Sequence, residues 1–438
     1  MANLIRTLDL RGKHLSASEI RLIAPRASLD IAEAAKQVQP LIADIQARGV
    51  EAVLAAARQF DGFEPNPIWV TQSEIDEALE DLQPSLRTAI EEAIARVRKV
   101  SKDSMPSSSR TALADGAEVS QRWAAVESVG LYVPGGRAVY PSSVIMNVVP
   151  AQVAGVTRLV IATPGQKDFG GRPHPTVLAT AGLLGVSEIL VIGGPAAIAA
   201  FAFGLEQIDL QPVDVVTGPG NIYVAAAKRL LRGQIGIDSE AGTTEILVLA
   251  DQSADARLIA FDLISQAEHD DAAASILVTN SEELLASVAA ELQKLAGATR
   301  HSERVLKALG GQQSALVLVD DLDAAVDFAN AYATEHLEIM TADDDAVVGK
   351  IRHAGAIFVG KYSPVSLGDY MAGSNHVLPT GSTARFSSGL GVATFLRPQQ
   401  VIRYDETGLA PIADLIESFA QAEGLPAHGE AVKARFSN

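Results

Sequence analysis

The chain has 438 residues, of which 48% are hydrophobic and 20% are charged, and it carries a formal net charge of −18 and no cysteine. This composition is typical of a globular protein, and the length favours two main domains rather than one. The acidic charge argues against a nucleic-acid partner, and the lack of cysteine excludes disulfides, thiolate metal ligands and a thiol nucleophile.

The N-terminus and the hydropathy pattern predict a cytoplasmic protein with no membrane partner. The opening residues, MANLIRTLDLRGKHL, show no signal-peptide pattern. No apolar run in the sequence reaches the length of a membrane span.

Residues 1 to about 125 are predicted to be mostly helical. Apolar residues recur at helical spacing within 16–26, 30–60 and 73–100, and Ser or Asp stands near several of the starts. The segment 101–116, SKDSMPSSSRTALADG, is polar and rich in serine, which predicts a loop or an exposed connection.

From residue 126 onward, short β-branched runs alternate with helical stretches. The predicted strands lie in ESVGLYVP, RLVIATPG, EILVIGGP and VDVVTGPGN, and then in EILVLAD, ASILVTN, SALVLVD and AGAIFVG. Strand, glycine turn, helix and strand is the pattern of a parallel α/β sheet. We therefore predict an α/β protein with two Rossmann-like parallel-sheet domains, followed by a tail that turns helical again.

The predicted domain organisation has four parts. They are an N-terminal helical arm (1–25), a discontinuous first α/β domain (26–128 plus 241–385), a second Rossmann-like α/β domain (129–240) and a C-terminal helical tail (386–438).

Three glycine turns follow predicted strands and precede predicted helices: YVPGGRAVYP, IGGPAAIA and TGPGNIYVAAAKR. Glycine lets the backbone approach a ligand, and a helix N-terminus offers free N–H groups to phosphate. Each turn alone is best explained as an ordinary connection, since none is GxGxxG or a Walker A loop. Together they favour a nucleotide or anion crevice, in which Asn221 is expected to cap the helix, contact a ligand, or do both.

Four of the eight histidines stand in dense polar clusters, which together indicate a metal site. For each histidine alone, a structural role is the better interpretation. Without thiolates, a zinc site needs about four nitrogen or oxygen ligands, and Gln266 and His269 are spaced to share one helical face. Asp369 and a further histidine would complete the set. The pattern leaves that histidine open among His336, His376 and His428.

The adjacent residues Glu335 and His336, in the string TEHLE, suggest acid–base chemistry. A histidine whose pKa is near neutrality suits proton abstraction, and a neighbouring carboxylate can activate water. A polar helix end in FANAYATEHLEIM explains the same residues equally well.

These motifs together resemble the histidinol dehydrogenase family over nearly the whole chain, most closely from Gly130 onward. The resemblance lies in VGLYVPGG, PSSVIMNVVPAQVAGV, TGPGNIYVAAAKR, LISQAEHD, EHLEI, GDYMAGSNHVLPT and AHGEAV. It implies a zinc enzyme of histidine biosynthesis that oxidises L-histidinol to L-histidine, through histidinaldehyde, with two NAD+.

The resemblance also implies a role for each site residue. Ligands of one zinc ion per subunit fall on Gln266, His269, Asp369 and His428. The catalytic pair falls on Glu335 and His336. Substrate contacts fall on these zinc ligands and on Thr244, His336, His376 and Glu423. NAD contacts fall on Tyr132 and Asn221. The family forms homodimers in which the C-terminal tail reaches the partner's site, so Glu423 and His428 would be supplied in trans.

Two positions depart from the family pattern. Ala196 stands where the family commonly has a glutamine that helps to bind NAD, and Thr243 replaces a proline while Thr244 keeps the hydroxyl. Loss of one neutral hydrogen bond costs about 0.5–1.5 kcal/mol. We therefore expect a higher Michaelis constant for NAD, by roughly ten-fold or less.

The lack of cysteine agrees with a route that needs no thiohemiacetal. Water would instead attack the aldehyde to give a gem-diol, whose hydride goes to a second NAD+. We expect His336 to act as the general base in both oxidations and Glu335 to activate the water. The metal would serve as template and Lewis acid.

Two other functions fit parts of the sequence. One is an NAD-dependent dehydrogenase on the same scaffold that acts on another small polar alcohol, such as a sulfonated diol. The other is a non-catalytic metal- or nucleotide-binding paralogue, which should have lost Glu335, His336 or a zinc ligand. None of these residues is missing.

Overall fold

The structure is a computed structural model that describes residues 4–27, 31–135, 139–240 and 242–437. Its N-terminal part contains a short strand and then helices: β1 (Arg6–Asp9), α1 (Ala17–Ile23), α2 (Ile31–Arg48), α3 (Val50–Phe60), α4 (Gln72–Glu80) and α5 (Pro84–Asp103). Ser16 and Thr71 begin α1 and α4 with capping boxes, as the sequence pattern indicates. The helical prediction for this region is confirmed, but strand β1 was not predicted.

Two strands, β2 (Ser109–Ala114) and β3 (Ala117–Ala125), follow as an antiparallel hairpin. Gly116 has a φ of 73° in the turn between them, a conformation that glycine adopts without strain. The loop prediction for 101–116 is therefore wrong for its second half. The Asp-Gly dipeptide between TALA and AEV was the available hairpin signal.

The first parallel sheet is built from five strands: β4 (Ser128–Tyr132), β5 (Arg158–Thr163), β6 (Ile189–Val191), β7 (Val215–Thr217) and β8 (Gly236–Ile237). The connecting helices are α6 (Pro141–Ala154), α7 (Pro175–Leu183), α8 (Gly194–Phe203) and α9 (Ile222–Leu231). The strand order is β6-β5-β4-β7-β8. The order reverses between β4 and β7, which is where a ligand crevice forms at the carboxyl ends of an open parallel sheet.

The second parallel sheet uses β9 (Glu245–Ala250), β10 (Ala274–Thr279), β11 (Ala315–Leu318), β12 (His336–Met340) and β13 (Ala356–Val359). The helices are α10 (Ala256–Ala267), α11 (Glu282–Leu295), α12 (Ser302–Leu309), α13 (Leu322–Tyr332), α14 (Asp344–Val348) and α15 (Val365–Tyr370). The sheet order is β1-β11-β10-β9-β12-β13. Residues 1–25 are thus not a purely helical arm, because β1 joins the edge of this sheet beside β11.

The C-terminal tail also contains a strand that was not predicted. Strand β14 (Leu396–Tyr404) pairs with β3, so that β14, β3 and β2 form a third, antiparallel sheet. Helices α16 (Glu406–Leu409), α17 (Ala413–Ala422) and α18 (Pro426–Lys433) follow. The helical prediction for the tail is therefore wrong at β14. The strand was not recognised because it is mostly exposed and lacks an apolar run.

Helices cover both faces of each parallel sheet. Buried residues of α4–α7 pack on one face of the first sheet and those of α2, α3, α8 and α9 on the other. The second sheet lies between α10–α12 and the pair α1 and α13. This confirms the predicted α/β class with two Rossmann-like sheets. In the described ranges, no helix combines the length and apolarity needed to span a bilayer.

Candidate active site

Glu335 and His336 lie at the amino end of β12, where the strand runs beside β9. The parallel register places His336 opposite Ile246. Both side chains are buried, with residue exposures of 7% for Glu335 and 4% for His336. The alternative of a polar helix end is wrong, because α13 ends at Tyr332 and Ala333 turns the chain with a φ of 51°.

The Glu335 carboxylate is held by two donors from the start of β9. The Thr244 hydroxyl donates to Oε2 at 2.5 Å, and the backbone N–H of Glu245 donates to the same oxygen at 2.9 Å. Burial raises the pKa of Glu335 to about 7, although both hydrogen bonds act in the opposite direction. The carboxyl group can therefore exchange a proton near neutral pH, as a general base or acid must.

His336 is arranged as a neutral base. Its Nδ1 lies 3.2 Å from the backbone oxygen of Glu245. A carbonyl oxygen only accepts hydrogen bonds, so Nδ1 carries the proton and Nε2 keeps its lone pair. Burial lowers the pKa of His336, which also favours the neutral ring. The structure therefore leaves Nε2 as the nitrogen that can accept a proton.

Gln266 joins this group through Thr244. Its Nε2 donates to the Thr244 hydroxyl oxygen at 2.6 Å from the last turn of α10. Its Oε1 is buried and accepts no hydrogen bond from the described residues. An unpartnered buried carbonyl oxygen is costly, so this atom is a candidate to bind a water molecule, an ion or a ligand.

His269 and Asp369 lie near each other on the wall of one cavity. His269 follows the end of α10, and Asp369 lies on α15. His269 Nε2 is 3.9 Å from Asp369 Oδ2, too far for a direct hydrogen bond. Both residues line a cavity of about 470 Å³. Imidazole nitrogen and carboxylate oxygen are zinc donors. The amide oxygen of Gln266, which has no partner among the described residues, is a further oxygen donor.

His376 is held beside Asp369. Its Nδ1 lies 3.2 Å from the backbone oxygen of Asp369, and its Nε2 lies 3.2 Å from the Ser143 hydroxyl. The ring therefore connects the segment after α15 to the start of α6. Its predicted contact with substrate stays a prediction.

Glu423 and His428 are not brought to this cluster within one chain. Both are exposed, at the end of α17 and on α18, and neither lines the cavity. In the part of the chain that the structure describes, no three His, Cys, Asp or Glu side chains are grouped to hold a metal ion. One chain brings together only Gln266, His269 and Asp369 of the predicted ligands.

The two predicted NAD contacts lie at the carboxyl edge of the first sheet. Tyr132 ends β4, and its hydroxyl accepts a hydrogen bond of 3.0 Å from the N–H of Gly194 at the start of α8. Asn221 caps α9 through its side-chain oxygen, which accepts from Tyr223 and Val224 at 3.0 and 3.2 Å. The capping prediction is confirmed. Ala196, in the first turn of α8, is buried against the core.

Lys228 and Asp238 hold the turn before Asn221. Their role was not predicted from the sequence. Both side chains are buried, and Lys228 Nζ lies 2.6 Å from Asp238 Oδ1. Lys228 also donates to the Gly218 oxygen at 2.5 Å, while the Gly218 N–H donates to Asp238 Oδ2 at 2.8 Å. A lysine inside the apolar run AAAKR was the only local signal. Of the first glycine turn, residues 136–138 lie outside the described residues.

Comparisons with known proteins agree on one family. A family model described as histidinol dehydrogenase matches residues 24–436. A histidinol dehydrogenase of Leifsonia xyli subsp. xyli (strain CTCB07) is 57% identical over 432 residues, covering 99% of both chains. One of Mycolicibacterium smegmatis is 54% identical and covers 98% of this chain and 97% of its own. The crystal structure of histidinol dehydrogenase from Elizabethkingia anophelis matches with a TM-score of 0.92 at 31% identity, covering 100% of this chain and 99% of that one.

Proposed function

Because the chain belongs to the histidinol dehydrogenase family and is an oxidoreductase of histidine biosynthesis, we propose that it oxidises L-histidinol to L-histidine with two NAD+, through histidinaldehyde. The observation that carries this proposal is the pairing of a buried carboxyl, Glu335, with a neutral histidine, His336, at one strand end. A four-electron oxidation needs a base for two hydride transfers and a second group to activate water.

The two residues divide the proton transfers between them. In the first oxidation, the carbinol C–H leaves as hydride to NAD+ while His336 Nε2 takes the hydroxyl proton. Water then adds to the aldehyde carbon: Glu335 takes a proton from that water, and protonated His336 returns its proton to the aldehyde oxygen, so that a gem-diol forms and His336 is neutral again. In the second oxidation, a second NAD+ takes the remaining hydride and His336 again takes a hydroxyl proton. The product is the carboxylic acid, without a covalent enzyme intermediate.

Gln266, His269 and Asp369 fit the donor set of a zinc ion. Two observations support this assignment. Gln266 Oε1 has no hydrogen-bond partner among the described residues, and His269 Nε2 lies 3.9 Å from Asp369 Oδ2 without a direct hydrogen bond. When bound, zinc supplies Lewis-acid polarisation and a template for the substrate's nitrogen and oxygen atoms. Thr244 lies between Gln266 and Glu335 and connects the metal side of the site to the water-activating side.

NAD+ is proposed to bind at the carboxyl edge of the first sheet, beside Tyr132 and Asn221. The strand order reverses there, and the start of α9 presents the positive end of its helix dipole. Ala196 has no polar side-chain atom, so the contact that glutamine makes in the family is lost. A higher Michaelis constant for NAD+ is expected.

The fourth zinc ligand and one substrate contact are proposed to come from a second copy of the chain. Glu423 and His428 are exposed, and so are the large apolar residues Leu415 and Phe419 on α17, with exposures of 62% and 73%. Exposed apolar residues near the two polar ones support a homodimer in which this segment covers the partner's site. A cytoplasmic location stays a prediction.

The direct test is the stoichiometry of the reaction. The zinc-loaded protein is mixed with limiting L-histidinol and excess NAD+, and the NADH formed per histidinol consumed is counted. Two NADH with histidine as product is the expected result. One NADH with released aldehyde would contradict the second oxidation. No NADH, with zinc verified in the protein, would favour a dehydrogenase of another small polar alcohol.

A further inference from the structure

Glu245 contacts both proposed catalytic side chains through its backbone. Its N–H donates to Glu335 Oε2 at 2.9 Å, and its carbonyl oxygen lies 3.2 Å from His336 Nδ1. The two peptide groups of one residue therefore set the position of the carboxylate and the tautomer of the ring. A small rotation of this residue would change both hydrogen bonds at once, and proton transfer is sensitive to such displacements.

The side chain of Glu245 is buried and is held by three partners. Its exposure is 3%, and Arg26 Nε lies 3.3 Å from its Oε2. The Tyr332 hydroxyl donates to Oε2 at 3.1 Å, and the N–H of Gly381 donates to Oε1 at 3.1 Å. These three partners come from distant parts of the chain and occupy both carboxylate oxygens.

Arg26 also fixes Tyr332, which precedes the catalytic pair by three residues. The guanidinium lies 3.9 Å from the centre of the Tyr332 ring and donates to the Tyr332 backbone oxygen at 2.7 Å. A further donor, the Ser382 hydroxyl, reaches the same oxygen at 2.9 Å. Arg26 thus holds the two chain segments that must be aligned, the start of β9 and the turn between α13 and β12.

From these contacts we infer that Glu245, held by Arg26, is the positioning residue for Glu335 and His336, and that it acts through its backbone rather than by touching substrate. This inference rests on the proposed function of the pair. Burial raises the pKa of Glu245 to about 7, while the Arg26 guanidinium opposes that shift and favours the carboxylate. Arg26 therefore acts against burial in favour of the charged form that the ion pair requires.

The kinetic test uses Arg26→Gln, Arg26→Lys and Glu245→Gln, each with its zinc content and melting temperature measured. Arg26→Gln and Glu245→Gln should lower kcat for histidinol about ten-fold or more, with the KM for histidinol and the zinc content close to wild type. Arg26→Lys keeps the charge and should recover part of the loss. Arg48, an exposed arginine of α2 that pairs with Asp44, supplies the matched control Arg48→Gln, which should behave as wild type.

A second readout needs no turnover and separates this inference from the proposed function. Nitrogen-15 NMR of the histidine rings, with His336 assigned by its loss in His336→Asn, reports which ring nitrogen carries the proton. The wild type should show a protonated Nδ1, and Arg26→Gln or Glu245→Gln should shift His336 toward a mixture of tautomers. Because Arg26 is one quarter exposed, its variants should fold even if Glu245→Gln does not.

The outcomes are distinct. If the wild type does not oxidise histidinol, the proposed function fails. The nitrogen-15 signals of His336 alone then test the positioning role of Glu245. Folded Arg26→Gln protein with wild-type kcat and wild-type His336 signals would overturn the positioning role. A loss of kcat together with zinc loss, and with unchanged ring signals, would overturn it in favour of a purely structural role.

Discussion

Glu335 and His336 are neighbours in the chain, but their surroundings suit them to different tasks. Burial raises the pKa of Glu335 to about 7 and lowers the pKa of His336. The uncharged state is favoured for both residues, because a buried charge is costly. In the proposed mechanism the neutral His336 ring is the active base, whereas Glu335 has to ionise before it can take a proton from water. The pair therefore responds to pH mainly through Glu335.

The division of labour predicts the effect of Glu335→Gln. This change keeps the size of the side chain and removes its basic oxygen. Oxidation of histidinaldehyde should slow by about 10²–10⁴-fold, as expected for loss of a general base. Oxidation of histidinol to the aldehyde should continue. Following NADH absorbance with each substrate separately measures the two rates. Glu282→Gln, at an exposed glutamate of α11, serves as the control, and equal slowing of both steps would contradict the assignment.

The pH dependence of the second oxidation should follow Glu335. The carboxyl must be ionised to act as a base, so the rate with histidinaldehyde should rise with pH through about 7, the raised pKa of Glu335. Because burial lowers the pKa of His336, protonation of the ring should reduce the rate only at more acidic pH. The measurement is kcat against pH for each half-reaction. If kcat for the first oxidation also rose with pH through about 7, the assignment of this pH dependence to Glu335 in the second oxidation would be wrong.

At the scale of elements, the candidate site forms where the starts of two strands meet the end of one helix. The start of β9 carries Thr244 and Glu245, the start of β12 carries Glu335 and His336, and the last turn of α10 carries Gln266. The site thus lies at the amino edge of the second sheet, while the proposed NAD contacts lie at the carboxyl edge of the first. Ligands in open parallel sheets commonly bind at the carboxyl edge. Here only the first sheet follows that rule.

A buried pair of carboxyl groups connects α10 to β12 behind the site. Asp262 lies one turn before Gln266, and Glu338 lies two residues after His336. Neither oxygen of Glu338 accepts a hydrogen bond from a described N–H or hydroxyl group, and its hydrogen-bonding neighbour is the Asp262 carboxyl. Burial raises the pKa of Glu338, and the neighbouring charge of Asp262 raises it further; burial also raises the pKa of Asp262. The two groups therefore share a proton, since two buried carboxylates in contact repel each other.

This pair predicts how stability depends on pH. A carboxyl with a raised pKa in the folded state contributes fully below its ordinary pKa, and the contribution is lost as pH rises through the raised value. The contribution of this pair to the melting temperature should therefore fall as pH rises from 4.5 toward about 9, the ordinary and the raised pKa of Glu338. Glu338→Gln stays neutral and should flatten that slope, which thermal unfolding at several pH values measures. Glu282→Gln is the reference for loss of an exposed carboxylate. If melting temperature depended on pH equally in the wild type and in Glu338→Gln, the shared proton would be refuted.

At the scale of the whole molecule, one chain does not contain a complete predicted zinc site. Gln266, His269 and Asp369 are brought together, but His428 is exposed on α18 and does not line the cavity of His269 and Asp369. The third sheet shares no strand with the two parallel sheets. The C-terminal helices follow its strand β14 along the chain. A segment that carries predicted site residues on its exposed surface is suited to complete the proposed site of a second copy.

Completion in trans predicts complementation between two inactive variants. His269→Ala and His428→Ala should each lose zinc and turnover, because each lacks one ligand at every site. Mixed dimers should recover one intact site, so random mixing should restore up to about a quarter of wild-type activity. The measurement is NADH formation after the two proteins are unfolded, mixed and refolded. Wild-type protein refolded alone is the control, and no recovery in the mixture would argue against sharing.

The sequence by itself determined the features that depend on local chemistry. Helices α1–α5 were predictable because apolar spacing and capping residues act within a few turns, and strands β4–β7 because β-branched runs end at glycine turns. The candidate site residues were found because their motifs are short and occur in a recognisable order. Asn221 could be assigned as a cap for the same reason.

Only the tertiary structure decided what depends on contacts between distant residues. Strands β1 and β14 are short or exposed, so they are recognised only by their partners β11 and β3. His336 begins a strand because β9 and β13 flank it, although helix α13 ends shortly before it, at Tyr332. Glu245 and Glu335 are separated by 90 residues, and no pattern predicts that the N–H of one holds the carboxylate of the other. Such pairings depend on the packing of the whole chain, which local sequence periodicity does not encode.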